Sequence, residues 1–198
     1  MVQDASTGQA AIGFRVKSGW ATAVLLTGSA RSPQVRDRRR IELSDPAVPA
    51  TIQPYHAGMG KLQTDEVKVA RLRNIIQHAA NQSVRQLVKE YRDSGFHLCA
   101  ASLVVGSDID PGRISNPHIR AHALEGRLFR TTLEDALKAC GLPCSVLVER
   151  NVYDQAKTIL KRQVNDLKRC VTELGRDLPG PWRADEKTAC LAAWLALA

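Results

Sequence analysis

Two histidines and a glutamate stand at His118, His122 and Glu125, separated by steps of four and three. On a helix those steps bring three side chains onto one stripe. Two imidazoles one turn apart can hold a single divalent ion, and a carboxylate one turn on can be a third ligand or can orient a ring. The same groups could act as a general base with its orienting acid. The plainer alternative has the histidines hydrogen-bonded to neighbours and Glu125 paired with Arg127, Arg120 or another basic residue. The spacing is not the H-E-x-x-H zinc signature. Gly126, next to Glu125, costs up to ~1 kcal/mol against alanine inside a helix, which implies close packing at that point.

The helix that carries this stripe is announced by Asn116-Pro117, a cap followed by proline at the first position, and stopped by Gly141. It must begin near the carboxyl end of the preceding strand, where Asp108 and Asp110 leave the sheet. Ligands of α/β proteins bind at such places. The candidate catalytic or ligand-binding set is therefore Asp108, Asp110, His118, His122 and Glu125.

A second pattern is basic. Arg31, Arg36, Arg38 and Arg40, with Arg39, crowd the third predicted strand, and Arg71, Arg85, Lys89 and Arg92 share the outer face of the following helix. There are 28 Lys and Arg against 20 Asp and Glu, a formal charge of +8. A guanidinium row on an edge strand can follow a phosphate backbone, or simply protect the edge from strand-on-strand association. Aromatics are only 5% of the 198 residues, so base stacking has little to work with.

The remaining composition, 44% hydrophobic and 24% charged, excludes a disordered chain and a membrane bundle. No secretory leader is read at the start. The most apolar stretch, Cys190 to Ala198, is far short of the ~20 residues a membrane span needs. Five cysteines, an odd number set mostly in apolar runs, point to reduced buried thiols and a cytoplasmic protein. His97 and Cys99 should share one core-facing side of a strand. No Walker A or G-x-S-x-G motif occurs.

Periodicity predicts a strand with one apolar face made by Ile12, Phe14 and Val16, a turn at Ser18-Gly19, and a second strand from Trp20 to Thr27. A third runs from Gln34 to Leu43, with Val35, Ile41 and Leu43 on one face and Arg36, Arg38 and Arg40 on the other. A loop over 44–60 leads to a helix capped by Thr64 and ending near Asp93. His97 to Gly106 and Pro143 to Glu149 read as strands covered on both faces, flanking the helix that starts at Asn116. One helix should cover Val152 to Leu174, and a last one Asp185 to Leu195. Their apolar stripes could also form a homodimer face. Residues 1–9 are expected to be a flexible tip, and 10–198 one domain.

The order β-β-β-α-β-α-β-α with a terminal helix, and the run Ile12-Gly13-Phe14-Arg15, resemble the ribonuclease H-like superfamily, which includes RuvC-type resolvases and actin-like ATPases. The resemblance implies an α/β domain with a five-stranded mixed sheet. Its nucleases hold two Mg²⁺ ions between carboxylates, with the first-strand acid bridging both. Arg15 stands where that acid would be, with the opposite charge. Acids remain at other family-like places, Asp108, Asp110, Asp185 and Glu186. The leading expectation is a non-nucleolytic binding module, with nucleic acid held through Arg31, Arg36, Arg38 and Arg40, and with a divalent metal compatible but not favoured. The alternatives are an enzyme or a ligand- or metal-binding domain using His118, His122 and Glu125 with Asp108 and Asp110, and a homo-oligomeric assembly module.

Overall fold

Alternating apolar residues on either side of the Ser18-Gly19 turn build the first hairpin, and Gly19 supplies the left-handed backbone (φ 84°) that the turn requires. In the computed structural model, which describes residues 9–198, the strands β1 (Gln9–Lys17), β2 (Trp20–Ser29) and β3 (Ser32–Glu42) form an antiparallel meander. Two more strands, β4 (His97–Val105) and β5 (Cys144–Val148), add to it in parallel, giving the order β3-β2-β1-β4-β5. The five-stranded mixed sheet expected from the element order is present. Of the expected tip, residues 1–8 lie outside the described residues, and Gln9 already opens β1.

Helices α1 (Glu66–Asp93) and α2 (Pro117–Ala139) cover one face of the sheet, packing Ile76, Val84, Phe129 and Leu133 against Ile12, Phe14 and Leu103. The other face carries α5 (Ala184–Ala196), with α3 (Val152–Leu160) and α4 (Val164–Leu174) beside it. Among the described residues, no helix is long and apolar enough to cross a membrane. The apolar residues of α5, Ala189 to Trp194, are buried inside this chain, so the stripe expected to offer a homodimer face is spent on the sheet.

Several expectations change. Strand β1 has two buried faces rather than one, because α5 lies directly on Gly13: a Cβ there would come within 1.9 Å of the Ala189 carbonyl oxygen and 2.3 Å of the Ala193 nitrogen. A bulge in β3 leaves Arg36 without a partner residue, since Val35 pairs with Leu26 and Asp37 with Leu25. Alternation is reset there, so Val35 packs on the α5 side while Ile41 and Leu43 join the α1 side. The arginines no longer share one face. β5 is an edge strand in which only Leu147 is buried, so it is not covered on both faces. The helix predicted over 152–174 breaks at Lys161, the one described non-glycine residue with positive φ (53°). Asp65, not Thr64, caps α1, accepting the Lys68 amide at 2.9 Å.

One polar network ties the meander to α1. Arg39 bonds Asp37 and, at 2.5 Å, Glu90, while the Tyr91 hydroxyl donates to Asp37 at 2.8 Å. Burial, reinforced by Asp37, pushes the Tyr91 hydroxyl well above its ordinary pKa, so it stays a donor. Gly13→Ala is expected to destabilise the protein at the top of the overpacking range of about 1–3 kcal/mol, because both obstacles are backbone. For a chain of this size that is roughly a 6–12 °C fall in Tm, read by circular dichroism. An unchanged Tm would mean that α5 does not rest on β1.

Candidate functional site

A cavity of about 850 Å³ opens at the carboxyl ends of β1 and β4, walled by the β4–α2 connection and one side of α2. Asp108, Asp110 and His122 line it, as do Arg15, Lys17, Arg127 and Arg130. Each acid is already matched. Asp108 is ion-paired with Arg130, while Asp110 accepts the Gly112 amide at 3.1 Å and lies 3.8 Å from Arg127. Gly126 faces the same space, and a Cβ there would meet nothing within 4 Å, so the close packing expected of it is absent.

At the floor of this region lies the side chain of Arg15, 6% exposed, on the α5 side of β1. Its Nη2 donates to Glu149 Oε2 at 2.5 Å and its Nη1 to the carbonyls of Val16 (3.0 Å) and Val104 (3.4 Å). Asp185, at the first turn of α5, is 3.9 Å from Arg15 Nε and 3.1 Å from Lys17 Nζ. Two cations thus sit between two carboxylates from distant parts of the chain. Glu149 and Lys17 were not among the expected site residues. Their only sequence signal is their position, one just past a strand and one ending another.

The histidine stripe does not face the cavity as a unit. Asn116 caps α2, accepting the His118 and Ile119 amides, and its first turns pass over the connection that holds a short hairpin, His56–Ala57 paired with Lys61–Leu62. Glu125 is fully buried and accepts from His56 Nδ1 at 2.7 Å and from the Tyr55 amide at 3.4 Å. Its partner is thus another basic residue, His56, rather than the two arginines named: Arg120 donates to the Pro111 and Ile114 carbonyls, and Arg127 turns to Asp110. Burial pushes the Glu125 carboxyl above its ordinary pKa, and the bonds from His56 and Tyr55 pull against that shift. His118 and His122 approach each other through Nε2 at 3.2 Å. His56, the third ring of the cluster, sits in a loop without periodicity and left no sequence signal.

The basic residues of the β3 region divide. Arg36 donates to Thr27 Oγ1 at 2.7 Å and Arg38 to the Pro179 carbonyl at 2.6 Å. Arg40 is bonded to Glu42 and lies over the Trp20 ring. Among the described residues, Arg31, Arg36 and Arg38 have no carboxylate within 4.0 Å. The cysteines are all free; Cys190 is buried and its thiol is pushed up to about 12, while Cys99, Cys140, Cys144 and Cys170 are half-buried rather than buried. His97 is exposed at the start of β4 rather than in the core with Cys99.

No protein-family model matches this sequence, and no curated protein matches it. Among solved structures, RuvC of Thermus thermophilus in complex with Holliday junction substrate aligns over 94% of this chain and 91% of its own, with a TM-score of 0.55 and 12% identity. A second Thermus thermophilus RuvC structure aligns over 94% and 92%, with a TM-score of 0.54 and 11% identity. The chain has the ribonuclease H-like fold. At this identity the likeness concerns fold alone, and the site must be judged on its own residues.

Judged so, it does not fit the pair of divalent ions that ribonuclease H-like nucleases hold. Those ions need converging carboxylate oxygens. Here the central position of β1 is a guanidinium bonded to Glu149 and to two carbonyls, its buried Nε without a hydrogen-bond partner among the described residues. Arg15→Asp should turn this place into a cluster of three carboxylates, the introduced one beside Glu149 and Asp185. That variant is expected to gain roughly 3–6 °C in Tm at a Mg²⁺ concentration tenfold above its Kd, which is about 1.4 kcal/mol, while the wild type gains nothing. Equal responses of the two proteins would contradict this reading. Gly126→Ala, facing open space in a helix, should stabilise by up to ~1 kcal/mol in urea denaturation.

Proposed function

We propose that residues 10–198 act as a single ribonuclease H-like domain that binds nucleic acid without cleaving it. The observation that carries this reading is the buried guanidinium of Arg15, locked to Glu149 beside Asp185 where a nuclease needs a metal-bridging acid. A cation fixed there opposes metal binding, and with it the usual phosphodiester hydrolysis. Binding is supported by the net charge of +8 and by Arg31, Arg36 and Arg38, whose charge no described carboxylate offsets. Arg40, held by Glu42 over Trp20, contributes less. That one of the aligned RuvC structures holds a Holliday junction substrate makes junction DNA the first ligand to try.

The test is fluorescence anisotropy with four-way junction, duplex and single-stranded probes, alongside a cleavage assay in Mg²⁺. If three phosphates are neutralised, affinity should fall roughly 40-fold between 50 and 200 mM salt. Arg31→Ala with Arg36→Ala should weaken binding and flatten that salt dependence by about one unit of slope per lost contact. Absence of binding at 50 mM salt defeats the nucleic-acid half of the proposal, and cleavage of any probe defeats the other.

The cavity favours a second reading. Its volume of about 850 Å³ is in the range of small-ligand sites, and Asp108, Asp110 and His122 could contact a small polar ligand there. A ligand in this place would be displaced by filling the wall at Gly126, whereas nucleic-acid binding along β3 would not respond.

A further inference from the structure

Five histidines occur in this chain, and three of them meet at one point. His56 comes from the short hairpin before α2, and His118 and His122 come from the first two turns of α2. One ring nitrogen from each lies within 4.8 Å of the other two, and the ring centroids are 4.4–5.1 Å apart. Three imidazoles rarely crowd together for packing alone.

The outward nitrogens of His56 and His118 are matched to acceptors, and that of His122 lies near one. His56 Nδ1 is 2.7 Å from Glu125 Oε1, and His118 Nδ1 is 3.0 Å from the Gly60 carbonyl. His122 Nδ1 is 3.6 Å from Glu125 Oε2. Since carboxylate and carbonyl oxygens only accept, the first two contacts place the protons of His56 and His118 on Nδ1 and free their Nε2 lone pairs. The 3.2 Å contact between the Nε2 atoms of His118 and His122 then puts a proton on His122 Nε2, and that proton must leave Nε2 when this ring binds a metal. Histidine ligands of metals are commonly held in this way, with the second ring N–H given to a carboxylate or a carbonyl. Gly60 is needed for one of these anchors, because its φ of 71° is left-handed and a Cβ there would approach His118 Nδ1 to 3.0 Å.

Two further observations point to a cation. Among the described residues, His56 Nε2 has no hydrogen-bond partner, in a side chain only 9% exposed. Glu125 is fully buried, and among the described residues no lysine or arginine pairs with it. A counter-charge stabilises a buried carboxylate, and a dication bound by the adjoining rings would provide one. The separation of 3.2 Å between the Nε2 atoms of His118 and His122 suits two ligands of one tetrahedral ion, about 3.3 Å apart when each bond is ~2.0–2.1 Å.

We propose that His56, His118 and His122 form a three-histidine site for Zn²⁺, with Glu125 as the positioning residue for His56. An all-nitrogen set selects zinc and its borderline neighbours over Mg²⁺ or Ca²⁺, which take oxygen ligands. His118 and His122 are exposed, and His122 also lines the cavity, so the fourth position is open to water or to a ligand atom. This site is independent of the nucleic-acid reading, since it shares no residue with the β3 arginines or with the Arg15 ion pairs.

The test is calorimetric titration of the chelator-stripped full chain with ZnCl₂, with Co²⁺ absorption as a second readout. One ion per chain and a tetrahedral Co²⁺ spectrum are expected. His122→Ala, at an exposed position, should lose at least 100-fold in affinity at unchanged Tm, and His78→Ala should lose nothing. Glu125→Gln should weaken binding 10–100-fold through His56 while leaving the one-to-one stoichiometry intact. No stoichiometric Zn²⁺ binding, or equal affinity in the wild type and His122→Ala, would overturn the proposal. Neither result would bear on DNA binding, which is measured with the same proteins in the absence of zinc.

Discussion

The contact on which the rest depends is the seat of α5 on β1. Gly13 offers no side chain, so the helix backbone comes down to the strand at Ala189 and Ala193. Asp185 lies four residues, about 6.0 Å, before Ala189, and Arg15 lies two residues, about 6.6 Å, beyond Gly13. Those two lengths nearly match. Docking at Gly13 therefore delivers the helix carboxylate to the strand guanidinium, and the parallel neighbours β4 and β5 bring the Val104 carbonyl and Glu149 to the same point. A helix held farther from the sheet by even one methyl group would separate these charges.

The consequence is an arrangement in which charge is compensated from within. Arg15 and Lys17 face Glu149 and Asp185, Arg130 faces Asp108, and Arg127 faces Asp110. A nuclease of this fold leaves its acids unpaired so that metal ions can complete them; here the protein's own side chains do so. Cations without a carboxylate partner lie elsewhere, among them Arg36 and Arg38 on β3, which bond only neutral oxygens. Charges are paired at the end of the sheet, while along its edge Arg39 and Arg40 are paired and Arg36 and Arg38 are not.

Helix α2 borders two candidate sites because its sides face different partners. Gly126, Arg127 and Arg130 look into the cavity, while Glu125 lies beneath the hairpin that carries His56. His122 stands on the border and belongs to both. The helix is anchored by its Asn116 cap, so the histidines of its first two turns sit where the chain is well constrained at both ends of the contact.

Much of the architecture could be read from the residues alone, because strand and helix periodicities are local and the turns at Gly19 and Asn116-Pro117 carry their own stereochemistry. The same holds for the candidate stripe His118, His122 and Glu125, whose common face follows from helical geometry, and for the sign of the charge at Arg15. Long-range facts were not legible. Local periodicity does not say that the bulge at Arg36 resets the alternation of β3, or that Gly126 faces empty space. Nor could the position of His56 be inferred, since a short irregular loop meets α2 only through tertiary packing. The sequence determined which chemical groups are present and which face of each element they occupy. Only the folded chain decided which of them meet, because meeting depends on how closely α5, β5 and the hairpin before α2 approach one another.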